Sequence, residues 1–430
     1  MKKNSPFILM ISLLHSSIHG QVNDTVYKVA TWKGFAQAAV SYTWDDNTAK
    51  QLSDALPLYD RYDFKATFFP ITSTNPNWSG LKKAQSNGHE IGSHTLTHTA
   101  LNTLSDTAQE TEQKNSRAEI NAQLMNKKCL TLAYPYCAIG NRSITSNYYM
   151  SARGCNGQVE KSTPADFLNV GSIICGAQGA VNTAAQFNTT VNNATVTNGW
   201  VVFLLHGINN DGGYSPVDSV ELSKHLEYMN ANKNKFWVST YGATVRYIRE
   251  RDAVVAQELA NTDSLIIFSL SHNLDTTIYN IPLTLKRSVP HGWNTFLVYQ
   301  HGKVIPATIK NENGTNYMIF DVIPSSGNVW IRNTTTSTGV EKNEEMLSFT
   351  VYPNPFHICT TIQFVLEHAA KVSLELLDGS GKKVRIIPSE CYSAGLNEIS
   401  LNSDGLNGNV FYCVLRVNGK VAIRKIIYKV

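Results

Sequence analysis

Between Tyr27 and about Ala260, short apolar runs alternate with longer stretches whose apolar residues recur at helical spacing. The short runs, at 38–42, 66–69, 90–92, 131–134, 201–205 and 237–240, predict strands. The longer ones, at 48–59, 107–126, 219–230 and 240–259, predict helices, the second opened by a capping-box pattern from Thr107 to Glu110. This alternation is the signature of βα units. Periodicity alone does not separate a barrel from an open doubly wound sheet. From about Thr262 the helical spacing stops. Runs at 264–269, 295–300, 316–322 and 328–332 alternate with Gly, Asn and Pro turns, as in a small β-sandwich. A polar stretch rich in Thr, Asn and Glu follows, and then a second series of alternating strands runs to Val430.

Composition changes this picture modestly. The 430 residues leave room for two to four domains, and a net charge of +4 with no basic cluster argues against a nucleic-acid partner. Met1, Lys2 and Lys3 precede a short apolar run at 7–14, which predicts a signal peptide cleaved after Gly20. Seven cysteines in an exported chain favour disulfides. Cys129, Cys137, Cys155 and Cys175 allow three pairings, and Cys359, Cys391 and Cys413 lie near the C-terminus. Cys137 is expected to pin its loop through a disulfide, a thiolate zinc ligand being the alternative.

The chemistry collects between Ala36 and His98. Asp45 and Asp46 end one predicted strand, and His94 and His98 follow another. On one helical turn, residues four apart share a face, so both imidazoles could reach one ion. A carboxylate oxygen as third ligand would leave coordination free for water, and the neighbouring Asp could act as its base. Taken singly, an Asp-Asp pair is more often a cap or turn, and such a histidine pair more often surface or core. Their joint order at successive strand ends points to a metal site. Thr95 stands where a His-Glu-x-x-His zinc protease needs Glu.

Thr43-Trp44-Asp45-Asp46-Asn47, His94-Thr95-Leu96-Thr97-His98, Ala133-Tyr134-Pro135-Tyr136 and Leu204-Leu205-His206, in this order, resemble the motifs of NodB-homology polysaccharide deacetylases (carbohydrate esterase family four) over about residues 27–251. The C-terminal stretch is similar to the sorting domain of type IX secretion substrates. It shares the Tyr352-Pro353-Asn354-Pro355 entry, the Asp378-Gly379-Ser380-Gly381-Lys382 turn and the basic last strand. The resemblance implies an α/β fold: a distorted (β/α) barrel catalytic domain followed by two small all-β sandwich domains. The expected partition is a signal peptide at 1–20, the deacetylase domain at 21–260, a β-sandwich at 261–334, a linker at 335–347 and the sorting domain at 348–430.

By the same resemblance, Asp46, His94 and His98 hold a divalent metal, zinc being expected. Asp45 is the base, His206 the acid, and Tyr136 donates its main-chain N–H to the oxyanion. Trp44, Pro135, Tyr214 and Trp237 are candidate substrate contacts, with Trp200 a further aromatic surface. The implied activity is removal of N-acetyl or O-acetyl groups from an extracellular polysaccharide such as chitooligosaccharide or peptidoglycan, with release of acetate. An acetylxylan esterase and a non-catalytic carbohydrate-binding protein are the alternatives. The implied partners are the acetylated sugar and the type IX machinery, and the implied destination is outside the cell or on its surface.

Two residues depart from the family pattern. Asn47 replaces a Gly, and Asn tolerates left-handed backbone. Ala133 stands where the family has an arginine paired with the catalytic aspartate. Arg142 and Arg153 are the nearest cations in sequence that could occupy that space. An acid partner for His206 would come from Asp166, Asp211 or Asp218.

Overall fold

The computed structural model describes residues 26–124, 128–301, 303–335, 349–366, 368–378, 381–418 and 420–429. The expected signal peptide and all but the first residue of the expected linker lie outside them. Strand β1 (Tyr27–Val29) pairs with a strand far along the chain, described below. Strand β2 (Ala38–Asp45) is buried along its whole length and organises the first half of the molecule. Parallel to it run β3 (Thr67–Phe69) and then β4 (Glu90–Ile91). Next come β5 (Thr131–Ala133) and β6 (Ser151–Arg153), parallel to each other. The strands β7 (Ile173–Ile174) and β8 (Trp200–Leu205) close back onto β2 from the other side, and β9 (Phe236–Val238) pairs with its first residues. Single parallel bridges, Ser93 to Leu132 and Arg153 to Val170, carry the pairing from β4 to β5 and from β6 towards β7.

Among the described residues, seven α-helices flank these strands: α1 (Leu56–Asp60), α2 (Trp78–Ser86), α3 (Asp106–Gln123), α4 (Arg142–Tyr148), α5 (Ala184–Val196), α6 (Ser219–Ala231) and α7 (Tyr241–Ala253). Helix α3 is capped by Ser105, whose hydroxyl accepts from the Ala108 N–H, and not by Thr107. Alternation along β2 divides the core. Val40, Tyr42 and Trp44 face the helical layer, packing with residues such as Leu56, Tyr59 and Phe203. Ser41, Thr43 and Asp45 face the other way, where Asp45 meets Arg153 and Ser41 meets Thr244.

The helix expected over 240–259 is two elements. Helix α7 ends at Ala253, and β10 (Val255–Asn261) continues as a strand with alternating exposure. The switch has a tertiary cause: β11 (Leu265–Ser271) offers an antiparallel edge to β10. The strands β12 (Leu283–Ser288), β13 (Phe296–Gln300), β14 (Lys303–Ile305), β15 (Ala307–Glu312), β16 (Thr315–Val322) and β17 (Val329–Asn333) complete two sheets, ordered β10-β11-β17-β13-β14 and β1-β12-β16-β15. Phe268, Leu285, Phe320 and Ile331 fill the core between them, and Tyr247 of α7 joins it.

Beyond the polar stretch, the strands β18 (Phe349–Tyr352), β19 (Cys359–Leu366), β20 (Ala370–Asp378), β21 (Lys383–Tyr392), β22 (Gly395–Asn402), β23 (Val410–Val417) and β24 (Lys420–Ile427) form two further sheets, ordered β18-β19-β22 and β21-β20-β23-β24. These share a core of residues such as Phe349, Phe364, Leu374 and Phe411. Cys137 is bonded to Cys155, whereas Cys129, Cys175, Cys359, Cys391 and Cys413 are free.

Candidate metal centre and catalytic site

The site forms where β2 ends. Asp45 is the last residue of the strand, and Asp46 and Asn47 take left-handed backbone with φ of 71° and 47°. Two consecutive left-handed residues break the strand sharply and set the Asp46 carboxylate over its end. Asn47 secures the break by accepting from the Ile71 N–H at 2.9 Å.

His94 and His98 do not share a helical turn, contrary to the sequence expectation. They lie on an irregular turn after β4, in which Thr95 and His98 are left-handed, with φ of 65° and 63°. Glu112 of α3 braces this turn by accepting from Leu96 N–H, Thr97 N–H and the Thr97 hydroxyl. His98 N–H in turn donates to the Thr95 hydroxyl at 3.2 Å. Residues strained in this way persist only where the surroundings over-determine them, and such positions cluster at functional sites.

Asp46 Oδ1 lies 3.4 Å from His94 Nε2 and 3.3 Å from His98 Nε2. The three ligand atoms fall within 4.8 Å of one another. Atoms this close together can all contact one small cation placed between them. Two further features fit a cation. Asp46 Oδ1 is buried with no hydrogen-bond partner among the described residues. His94 Nδ1 lies 2.8 Å from the Ala133 carbonyl oxygen, so donating there leaves the Nε2 lone pair free to ligate.

Asp45 and His206 stand against the same space. Asp45 Oδ2 is 3.6 Å from His94 Nε2 and 4.0 Å from His206 Nε2. Gln51 ties the two backbones together, donating to the carbonyls of Asp45 and His206. Burial would raise the Asp46 carboxyl, but the nearby imidazole of His94 and the charges of His206 and His98 hold it below its usual range. Burial lowers His94, yet Asp45 and Asp46 outweigh that and raise it. His98 is pushed down by burial and by His94. His206 is also pushed down by burial, which Asp45 and Asp46 only partly offset.

Arg153 reaches Asp45 from β6. Its two terminal nitrogens meet the two carboxylate oxygens at 3.2 and 2.5 Å, and one also donates to the Thr43 hydroxyl at 3.0 Å. Arg142 is elsewhere, paired with Asp166 at 2.7 Å.

Not every expected substrate contact faces this cleft. Trp44 is fully buried on the helical side of β2, its indole N–H donating to the Tyr59 hydroxyl, because strand alternation turns it away from Asp45. Trp237 pairs at the level of Ala39, at the other end of β2, and packs against Trp32 and Tyr247. Pro135 and Trp200 are buried. Two aromatics do flank the histidines. Tyr136, 72% exposed and left-handed (φ 54°), packs on His98 at a ring separation of 4.6 Å. Tyr214, 52% exposed, stands edge-on to His206 at 5.0 Å.

None of the expected acid partners reaches His206. Asp166 holds Arg142, Asp211 accepts from Thr48 and Gly213, and Asp218 caps α6. His206 Nδ1 is buried with no hydrogen-bond partner among the described residues. Sequence reasoning missed Glu112 and Gln51 altogether. No local signal marks either, since each acts on backbone it meets only after folding.

Residues 33–152 match the family model described as polysaccharide deacetylase. Residues 350–429 match the one described as secretion system C-terminal sorting domain, which marks a chain for type IX export to the cell surface or the medium. A gellan lyase from Bacillus sp. is 30% identical over 353 residues, covering 76% of this chain; the chain spans only 14% of that relative's length. Among solved structures, the Xyl-CE4 domain of a multidomain xylanase from the hindgut metagenome of Trinervitermes trinervoides aligns at 20% identity and a TM-score of 0.36, over 48% of this chain and 89% of that one. The peptidoglycan deacetylase PdaC from Bacillus subtilis aligns at 17% identity and a TM-score of 0.37, over 50% and 93%.

Proposed function

We propose that this chain, which carries a polysaccharide deacetylase domain and a secretion system C-terminal sorting domain, is an exported metal-dependent hydrolase that releases acetate from an extracellular polysaccharide or oligosaccharide. The observation that carries this reading is the trio of Asp46, His94 and His98 around one small space, with Asp45 and His206 facing it. We read the parallel strands around β2 as a distorted (β/α) barrel whose strand ends present these residues, followed by two β-sandwich domains.

A divalent ion held by the trio, zinc by its imidazole and carboxylate donors, would acidify a water and polarise the acyl oxygen. Asp45, next to the trio but not part of it, takes the proton from the attacking water. The main-chain N–H of Tyr136 donates to the oxyanion that forms on the acyl carbon. His206 hands a proton to the departing nitrogen or oxygen, so that the acetyl group leaves as acetate and the sugar keeps an amine or hydroxyl. Tyr214, half-exposed beside His206, offers the apolar face of its ring to the sugar on the leaving-group side.

The decisive experiment loads the full chain with zinc and assays acetate release from acetylated chitooligosaccharide, acetylated xylan and peptidoglycan. Release from the first or third supports an N-deacetylase, and from the second alone an O-acetyl esterase. A metal-loaded protein that releases acetate from none of them refutes the reading.

A further inference from the structure

The buried ion pair between Arg153 and Asp45 has a geometry that the sequence motif does not anticipate. Ala133 and Arg153 are direct register partners on the neighbouring parallel strands β5 and β6. Register partners on adjacent strands project to the same side of the sheet. The chain therefore has a small residue at the motif position and a guanidinium at the same level, one strand over. Arg153 is 1% exposed, and so is Asp45. The planar fork of the guanidinium spans both carboxylate oxygens, while its edge is tied through Thr43 to the Phe203 carbonyl of β8. Its other flank lies over the Phe69 ring at 5.5 Å.

We infer that Arg153 is the positioning residue for Asp45, reaching it from β6 and not from the motif position on β5. This rests on the reading of Asp45 as the base. A bidentate fork fixes the rotation of the carboxylate about its own axis, which a single donor cannot do. It also leaves Oδ2 with one open side, the side that faces His94 and His206. Two residues further on, Cys155 is bonded to Cys137, the neighbour of Tyr136. The strand end that holds Asp45 is thus covalently tied to the turn that presents the oxyanion donor. Ala133, buried on the neighbouring strand, orients His94 through its carbonyl.

The test uses the full zinc-loaded chain and four variants: Arg153→Ala, Arg153→Lys, Ala133→Arg and the double variant Ala133→Arg/Arg153→Ala. Zinc content, Tm, kcat and KM for acetate release are measured for each. Arg153→Ala is expected to retain zinc and to lose about 100-fold in kcat with little change in KM. Arg153→Lys should recover only part of this, because an ammonium cannot make the fork. The double variant should regain at least about tenfold over Arg153→Ala, and Ala133→Arg alone should be worse than wild type, with two cations competing for one space. Full activity in Arg153→Lys, or a folded, zinc-loaded double variant no better than Arg153→Ala, overturns the inference. Should Arg153→Ala not fold, Arg153→Lys and the double variant decide it by the same outcomes. A Tm cycle of Arg153→Lys, Asp45→Asn and their double variant reads the pairing without catalysis: coupling supports the inference and additive effects overturn it. A wild type that releases no acetate would instead count against the deacetylase reading, and the Tm cycle would still judge the pair.

Discussion

Two carboxylates sit at opposite ends of the same parallel strands and are treated very differently. At the strand starts, Glu90 accepts from the Thr67 hydroxyl, the Thr131 hydroxyl and the Gly242 N–H at the first turn of α7. Every donor is neutral, and neither oxygen is left over. A Cβ at residue 242 would lie 2.3 Å from Glu90 Oε1, so a side chain there would push the carboxylate off these donors. At the strand ends, Asp46 keeps a buried oxygen with no hydrogen-bond partner among the described residues, facing the imidazoles of His94 and His98. The first arrangement is complete as it stands and ties β3, β5 and α7 together. The second leaves an acceptor over. A satisfied buried carboxylate marks architecture, and an unsatisfied one beside histidines marks chemistry.

The sharpest way to break this comparison is to remove a ligand. His94→Ala or His98→Ala should abolish zinc retention and bring acetate release down to background, because two remaining ligands compete poorly with water. Unchanged zinc content in a purified His94→Ala/His98→Ala variant would dissolve the distinction between the two ends. Next in size, Asp45→Asn should keep zinc but lose about 100- to 10,000-fold in turnover, whereas Asp46→Asn should lose zinc as well. Identical behaviour of these neighbours would show that their roles are not divided as assigned.

At the other end, Glu90→Ala should leave zinc content and KM near wild type but destabilise the fold. Three donors lose their acceptor, at roughly 1–3 kcal/mol in all after relaxation and water entry, or about 2–9 °C in Tm. A selective loss of kcat with Tm unchanged would give Glu90 a catalytic role that its neutral surroundings argue against.

The smallest effect concerns Glu250 in α7. Burial raises its carboxyl to about 7, against weaker opposing contributions from the Ile281 N–H and from Arg246. Between the ordinary carboxyl range and about pH 7, the folded state holds this proton and the unfolded chain does not. Stability from this group therefore falls as pH rises through that window. The wild-type Tm should drop by a few degrees more between pH 5 and pH 8 than that of Glu250→Gln, which keeps an acceptor for Ile281. Parallel curves would refute the assignment.

Much of this site could be read along the chain because its key residues sit at strand ends. A short buried strand announces itself by composition, and the residue after it is exposed to the shared face of the sheet. Asp45, Asp46, His94 and His98 were expected together from their places after predicted strands, and His206 from the resemblance; the structure brings the five to one space. The aromatic surfaces were not legible in this way. Trp44 is one residue from Asp45 in sequence but on the opposite face, and Trp237 is at the opposite end of the strands. Tyr214, with no strand to mark it, was legible only as one aromatic among several.

What the sequence determined by itself was the order of βα units, the change to all-β structure near Thr262, and the types of residue at the strand ends. These are local properties: a period of two or of 3.6, a turn residue, a pair of neighbours. Tertiary structure alone decided which cation meets Asp45, because Arg142 and Arg153 are equivalent in sequence until β6 pairs with β5 in register. It likewise decided that residues 255–261 extend as a strand, since only the edge of β11 completes their backbone hydrogen bonds. The histidine pair shows the same division. Its spacing of four suggested a helical turn, but Glu112, reaching over from α3, holds it in a left-handed bend that brings both imidazoles to Asp46.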